Sequence, residues 1–126
     1  MKIGKYADTD FILALIKEED WLKENAEDIL AEEDRIETSY LSILESIMVL
    51  KRSGIEDTVE IVKDILDIAE LIHVDEETVL KAAIFMEEKD ANPFDAFHAA
   101  LAQERTIISS DSIYDEIGKE KSDLRE

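Results

Sequence analysis

One C-terminal stretch constrains the fold more than any other part of the chain. Asn92 followed by Pro93 is typical of a helix N-cap with proline at the first helical position, and it places Asp95 in the first turn. A short β-branched segment, residues 106–108, then leads directly to Asp111. A helix followed by a strand and an acid is typical of α/β proteins, and here it puts two carboxylates at the ends of secondary-structure elements.

Strand-like and helix-like patterns alternate along the whole chain. Short segments with β-branched residues predict strands that end at residue 8 and cover residues 35–39, 71–74 and 106–108. Apolar residues three and four positions apart predict helices after residue 8 and over residues 21–32, 40–53, 59–71, 78–89, 92–103 and 112–117. This alternation predicts a three-layer α/β fold, in which helices cover both faces of a parallel four-stranded sheet. We expect a single domain, 1–126, whose polar tail, residues 118–126, frays.

Composition narrows the classes of function. The net charge of −19 argues against a protein that holds nucleic acid by a broad cationic surface, but it leaves a metal-mediated contact open. The absence of cysteine excludes a disulfide framework and a thiolate metal site, and it favours a cytoplasmic location. No signal peptide pattern is visible, and the longest apolar run, residues 11–16, is too short to span a bilayer. We therefore expect no membrane association.

Glu45 is the acid that fits a solvent-exposed helix face least well. Its neighbours three and four positions away on the predicted helix are Leu41, Ser42, Met48 and Val49. An ionised carboxylate on such a largely apolar face is costly unless a positive group meets it. Arg52 lies on nearly the same face but about 10 Å further along the axis. That is too far for a simple pair, and it would suit contact with a ligand phosphate.

The other candidate acids lie at the ends of elements. Asp8 ends the first predicted strand and Asp111 follows the last one, so both should lie at the edge where parallel strands form a ligand crevice. If they meet Glu45 and Asp95, each pair at about 5 Å would repel by roughly 3 kcal/mol at an effective dielectric near 20. A divalent cation removes that conflict, and ligands made only of carboxylate oxygens select Mg²⁺ or Mn²⁺. Such a site would activate a water for attack on a phosphodiester.

Each of these residues also has a purely structural interpretation. Asp95 could serve the helix dipole, and Asp111 could be the N-cap of the final helix. Asp8 could cap the end of a strand, with Asp10 as the rival functional acid. His98, one turn after Asp95, could be a ligand or a packed histidine with its hydrogen bonds satisfied.

Four segments together resemble the PIN domain, in particular its small prokaryotic members that act as VapC-type toxins. The segments, in chain order, are residues 6–10 (YADTD), residues 38–45 from Thr38-Ser39 to Glu45, residues 95–102 (DAFHAALA) and residues 108–114 (ISSDSIY). The resemblance covers nearly the whole chain as one PIN domain. It implies a parallel sheet in the order 3-2-1-4 and an endoribonuclease site that depends on Mg²⁺ or Mn²⁺.

The resemblance also assigns roles to residues and implies partners. The implied catalytic and metal-binding acids are Asp8, Glu45, Asp95 and Asp111. The supporting residues are Thr9, Asp10, Ser109 and Arg52. The implied partners are an RNA substrate, an antitoxin protein and a second copy of the chain in a homodimer. The wide apolar face over residues 59–72, or the stripe that begins at Trp21, would suit one of the protein contacts.

The chain departs from the family pattern at three places. Asp10 stands where the family usually has asparagine, Ser109 replaces the commoner threonine, and the tail after Tyr114 lacks a clear fifth strand. The first hypothesis is a metal-dependent endoribonuclease that serves as the toxin of a toxin–antitoxin pair. The alternative, suggested by the acidic body and by Asp10, is a PIN-like binding or dimerisation module with weak or no catalysis.

Overall fold

The computed structural model describes residues 3–17 and 20–126, in which strands and helices alternate. The strands are β1 (Lys5–Ala7), β2 (Ile36–Thr38), β3 (Glu70–Leu71), β4 (Ile107–Ser109) and β5 (Lys121–Asp123). The helices are α1 (Thr9–Ile16), α2 (Lys23–Glu32), α3 (Tyr40–Arg52), α4 (Thr58–Ile68), α5 (Glu76–Lys89), α6 (Pro93–Ala102) and α7 (Ile113–Ile117). No helix within these two described ranges combines the length and the apolar character that crossing a membrane requires.

All neighbouring strands of the sheet are parallel. Their order is β3-β2-β1-β4-β5, which confirms the predicted α/β class and the expected order of the first four strands. On β1, Tyr6 is in register with Glu37 of β2 and with Ile107 of β4. The central strand β1 therefore delivers Asp8, the residue that follows it, to the middle of the carboxyl edge of the sheet.

The polar tail does not fray, and the sheet has five strands rather than the four expected. Strand β5 pairs with β4, with Lys121 opposite Ile107, and the side chain of Leu124 that follows is fully buried. Lys121 lies between Asp115 and Asp123, and its Nζ is 2.7 and 3.6 Å from their carboxylates. A three-residue edge strand held by ion pairs has no apolar alternation, so periodicity did not reveal it.

The third strand begins earlier in the chain than expected. It was predicted over residues 71–74, but β3 is Glu70–Leu71, because α4 already ends at Ile68. The Arg35 guanidinium donates to the Glu70 carboxylate at 2.6 Å, which ties the start of β3 to the segment before β2. The apolar residues that continue past α4 were misread as more helix.

Helices cover both faces of the sheet, and each face has its own core. Successive strand residues point to opposite faces. Tyr6 belongs to one core and Ala7 to the other. One core packs α1, α3 and α4 side chains against the sheet, and the other is dominated by α6 alanines and by Tyr114. Small side chains let α6 approach the sheet closely, and this brings its inner face near β1.

The predicted N-cap of α6 is confirmed. Asn92 Oδ1 accepts the Asp95 N–H at 3.0 Å, and Pro93 occupies the first turn. This cap fixes where α6 begins, so it also fixes the height at which Asp95 and His98 stand relative to the sheet edge.

Candidate active site

Asp8 lies at the centre of the candidate site. It follows β1, caps α1, and is only 7% exposed. Its Oδ1 accepts the Thr9 N–H at 2.8 Å, and its Oδ2 accepts the Ser109 hydroxyl at 2.8 Å. Burial raises the pKa of Asp8, with a smaller contribution from the Glu45 charge, and this outweighs the opposing effects of His98 and Ser109. The site is therefore one in which negative charge is poorly solvated.

Glu45 reaches the same place from α3. Its Oε1 accepts the Thr9 hydroxyl at 3.1 Å and is hydrogen-bonded to His98 Nε2. The same His98 nitrogen lies 3.5 Å from Asp8 Oδ1. His98 is buried and satisfied, as expected of a packed histidine, but two of its partners are acids of the candidate site.

The pKa of His98 follows from this setting. Burial disfavours the charged ring, but the Glu45 hydrogen bond and the charges of Asp8, Glu45 and Asp95 outweigh burial and raise the pKa. The ring thus lies between carboxylates that would otherwise repel each other.

Tyr6 was not singled out by the sequence reasoning. It is fully buried on β1, and its hydroxyl lies 2.7 Å from His98 Nδ1 and 2.7 Å from Ser39 Oγ. Burial raises the pKa of Tyr6, so its hydroxyl stays protonated. The available signal was its place two residues before Asp8, because residues two apart on a strand point to the same face of the sheet.

Asp95 lies in the first turn of α6, as predicted, and is half-buried. Asn92 Nδ2 donates to its Oδ2 at 2.5 Å. Burial raises the pKa of Asp95, and the charges of Asp111 and Glu45 raise it further. The charged form of the Asp95 carboxyl is therefore disfavoured.

Asp111 is exposed and follows β4 by two positions. Its N–H donates to Ser109 Oγ at 3.0 Å, and that hydroxyl donates in turn to Asp8. Asp111 Oδ1 accepts the Ile113 N–H at 3.0 Å, although the N-cap of α7 is Ser112. Asp111 is thus connected to Asp8 through one serine.

Hydrogen bonds of Asp10 link the start of α1 to the loop after β4. Its Oδ2 accepts the Ser110 N–H at 2.7 Å and is also hydrogen-bonded to the Ser110 hydroxyl. Its Oδ1 is buried and has no hydrogen-bond partner among the described residues. Burial, aided by the charge of Asp8, raises the pKa of Asp10 to about 6.

Arg52 stays apart from the acids. It is the last residue of α3 and is exposed, two helical turns or about 10 Å from Glu45 along the axis. Its role as a phosphate contact stays a prediction.

The residues present suit a hard divalent cation, although they do not form a closed ligand set. In the described ranges, no group of three or more His, Cys, Asp or Glu side chains is arranged to hold a metal ion as it stands. The raised pKa values of Asp8 and Asp95 reflect burial and neighbouring negative charge, which a cation would relieve.

The Tyr114 hydroxyl is a hydrogen-bond donor that is not in use. It is fully buried and has no partner in the described part of the chain. Its pKa is raised by burial first and then by the charges of the site acids.

An apolar groove of about 650 Å³ lies on the outer side of α3 and α6. Its lining includes Tyr40, Leu44, Phe94, Phe97 and Val74. Leu44 is 54% exposed and Tyr40 57% exposed, so these side chains are available to a partner. The groove was not anticipated from the sequence, which pointed to other apolar faces.

Several solved structures share this fold, among them the following two. A toxin–antitoxin complex from Klebsiella pneumoniae matches with a TM-score of 0.69 and 16% identity, covering 86% of this chain and 87% of that one. Mycobacterium tuberculosis VapC20, a Sarcin-Ricin loop cleaving toxin, matches with a TM-score of 0.77 and 20% identity, covering 94% of this chain and 98% of that one. At these identities the likeness shows the fold alone.

Sequence comparison gives a complementary result. No functionally curated protein matches the chain. The family model for the PIN domain matches residues 5–120, which is most of the chain and includes all four candidate acids. The chain therefore belongs to the PIN domain family.

Proposed function

We propose that the protein is an endoribonuclease that hydrolyses RNA phosphodiester bonds with Mg²⁺ or Mn²⁺. The observation that carries the proposal is the linkage of acids at the carboxyl edge of the sheet. Ser109 links the Asp8 carboxylate to the Asp111 backbone N–H, and the His98 nitrogen that is hydrogen-bonded to Glu45 lies 3.5 Å from Asp8 Oδ1. Separate capping roles do not require Asp8 and Glu45 to lie beside the same His98 nitrogen.

Each side chain of the site has a role in this proposal. The acids Asp8, Asp95, Asp111 and Glu45 would hold the cation, some of them through water. When bound, the cation supplies an activated water and stabilises the charge that develops on the phosphate. Ser109 orients Asp8 by donating to its Oδ2, and Thr9 orients Glu45 by donating to its Oε1. The supporting hydroxyls therefore fix the orientation of both carboxylates, and each carboxylate oxygen has a further lone pair with which it could bind the ligand.

RNA must approach an acidic body, because the net charge is −19. Lys51 and Arg52 form the basic last turn of α3 and are exposed. We propose that they contact substrate phosphates beyond the cleaved bond. The binding energy would then come mainly from the cation and from a few local contacts rather than from a broad basic surface.

We further propose that the protein acts in the cytoplasm as the toxin of a toxin–antitoxin pair and as a homodimer. The fold neighbours described as a toxin–antitoxin complex and as a Sarcin-Ricin loop cleaving toxin support the first part. Exposed apolar surface supports the existence of protein contacts, since Trp21, Val59 and the groove beside Leu44 all face solvent. Light scattering of the purified chain measures the number of copies.

RNA cleavage tests the proposed activity directly. The purified protein should cleave RNA with Mg²⁺ or Mn²⁺ and lose this activity in EDTA. Asp8→Asn should reduce cleavage to background, while Asp28→Asn, at an exposed position on α2, should leave it unchanged. Cleavage that persists in EDTA and in Asp8→Asn would contradict the metal mechanism.

The alternative function, a binding module without turnover, is favoured by one observation. The candidate ligands in the described ranges are not arranged as a metal centre. Titration with Mn²⁺ separates the two proposals, because a nuclease should show saturable binding that Asp95→Asn and Asp111→Asn weaken. A module without a competent site should bind no Mn²⁺ in this way.

A further inference from the structure

A chain of hydrogen bonds runs from the interior of the sheet to Glu45. Ser39 Oγ lies 2.7 Å from the Tyr6 hydroxyl, and this hydroxyl lies 2.7 Å from His98 Nδ1. The other ring nitrogen, Nε2, is hydrogen-bonded to Glu45 Oε1. The chain thus connects β1, α6 and α3 and ends on a carboxylate of the candidate site.

The chemistry of the end group fixes which ring nitrogen carries hydrogen. A carboxylate only accepts hydrogen bonds, so His98 Nε2 must donate to Glu45. His98 Nε2 can donate in two forms of the ring, the charged form and the neutral form with hydrogen on Nε2. Nε2 cannot donate in the neutral ring with hydrogen on Nδ1, because Nε2 would then face Glu45 as a second acceptor. Tyr6 can stabilise the required form by donating to an unprotonated Nδ1.

Burial immobilises the Tyr6 and His98 side chains of this hydrogen-bonded chain but not the Glu45 side chain at its end. Tyr6 is fully buried and His98 is 2% exposed, whereas the Glu45 side chain is 25% exposed. A glutamate at a solvent edge has several rotamers, and holding it in one costs conformational entropy. Two donors from separate elements, Thr9 and His98, converge on the same oxygen, Oε1. Because Oε1 is held by two donors, the orientation of the other oxygen, Oε2, is fixed as well.

We propose that Tyr6 and His98 are positioning residues that hold Glu45 with its Oε2 ready to bind the divalent cation. The inference rests on the proposed function, since it assigns Glu45 to the ligand set. Neither residue touches the reacting phosphate. Their effect on the reaction passes through the orientation of one carboxylate, just as hydrogen-bond partners of metal ligands orient those ligands in known metal sites.

Three substitutions separate positioning from a general loss of packing. Tyr6→Phe removes only the hydroxyl, and His98→Gln keeps an N–H donor near the position of Nε2 but loses the link to Tyr6. His98→Leu removes the donor and keeps an apolar side chain. The matched control is Tyr40→Phe, which makes the same chemical change at a residue that is 57% exposed.

Mn²⁺ binding measured by calorimetry is the first readout and needs no RNA. Tyr6→Phe should weaken binding about fivefold, which is the usual size of one lost hydrogen bond. His98→Leu should weaken it by roughly 10- to 100-fold, as for other residues that orient metal ligands. His98→Gln should recover part of the loss, and Tyr40→Phe should bind like the wild type. If His98→Leu does not fold, as judged by circular dichroism, Tyr6→Phe and His98→Gln are sufficient for the test.

Nitrogen-detected NMR of the metal-free wild type is the second readout. It should show hydrogen on His98 Nε2 in a hydrogen bond, and Tyr6→Phe should change the Nδ1 resonance. Wild-type affinity in both Tyr6→Phe and His98→Gln, or a ring without hydrogen on Nε2, would overturn the inference.

The same measurements distinguish failure of this inference from failure of the proposed function. A wild type that binds Mn²⁺ but cleaves no RNA would remove the nuclease proposal and leave the positioning role testable by affinity. A wild type that binds no Mn²⁺ would overturn both.

Discussion

Replacing Asp10 with asparagine is expected to stabilise the metal-free protein at neutral pH. Asp10 Oδ2 already accepts two hydrogen bonds from Ser110, through the N–H and the hydroxyl, and the oxygen of an asparagine amide can accept both. Oδ1 is buried without a partner in the described ranges, and the uncharged amide nitrogen would take its place. The substitution therefore keeps the link between α1 and the loop after β4 and removes a buried charge beside Asp8.

The size of the effect follows from the pKa of Asp10. Burial, aided by the charge of Asp8, raises this pKa from the ordinary 3.8 to about 6. A tenfold change in proton affinity corresponds to about 1.4 kcal/mol, so the ionised carboxylate lowers the free energy of unfolding by about 3 kcal/mol.

The sign of the pH dependence is opposite to that of a salt-bridged acid. Below about pH 4 the carboxyl of Asp10 is protonated in the folded state and largely protonated in the unfolded chain, so it costs little. Between about pH 4 and pH 6 the unfolded chain releases the proton first, and the free energy of unfolding falls as pH rises. Above about pH 6 the ionised Asp10 carboxylate lowers the free energy of unfolding by its full amount.

Urea denaturation in EDTA, at pH 4 and at pH 7, measures this difference. Asp10→Asn should exceed the wild type by up to about 3 kcal/mol at pH 7 and by less than about 1 kcal/mol at pH 4. Asp28→Asn, at an exposed position, should stay within about 0.5 kcal/mol of the wild type at both values. A loss of stability in Asp10→Asn at pH 7, or an equal gain at both pH values, would refute the reasoning.

Two further predictions concern the opposite edge of the sheet, and urea denaturation measures both. Gly4→Ala should destabilise the protein by about 1–3 kcal/mol, because an added Cβ would lie 2.6 Å from the Arg35 carbonyl oxygen and 2.9 Å from Glu37 Oε1. Arg105→Met should cost on the order of 3 kcal/mol at pH 7, because it takes the 3.0 Å partner away from the buried Glu37 carboxylate. Arg105 and the Gly4 N–H outweigh burial and lower the pKa of Glu37, so the cost of Arg105→Met should shrink as acid protonates Glu37. An unchanged midpoint in either variant would contradict the corresponding prediction.

The positions of Asp8 and Asp111 at one edge were predictable because the rule behind them is topological. Parallel strands that alternate with helices bring their carboxyl ends to the same edge, whatever the side chains are. Strand β5 was not predictable in this way, because Lys121 and Asp123 are held by ion pairs rather than by an apolar repeat. Sequence periodicity reports the burial of apolar side chains, and the three residues of this short edge strand are all polar.

The link between His98 and Glu45 was out of reach for a related reason. Their separation in sequence is 53 residues, and the contact depends on how α6 packs beside α3. The sequence did show that Glu45 lay on an unfavourable face and needed a positive or donating partner. It suggested a divalent cation as the positive partner and placed Arg52 too far away for a simple pair, whereas the structure supplies His98 from another helix and Thr9 from the start of α1. An acid on a largely apolar helix face thus predicts that a partner exists, but packing decides which one.

The capping and metal-binding interpretations of Asp95 and Asp111 turn out not to exclude each other. Asp111 uses Oδ1 to accept the Ile113 N–H, and Asp95 uses Oδ2 to accept from Asn92. A carboxylate has two oxygens and about four acceptor sites, so a local bond on one oxygen orients the other. The local bonds therefore lower the entropic cost of presenting the second oxygen to a cation. Sequence could not choose between the two roles because both require an acid at the same position, and under the proposed function the local bond would orient the oxygen left for the cation.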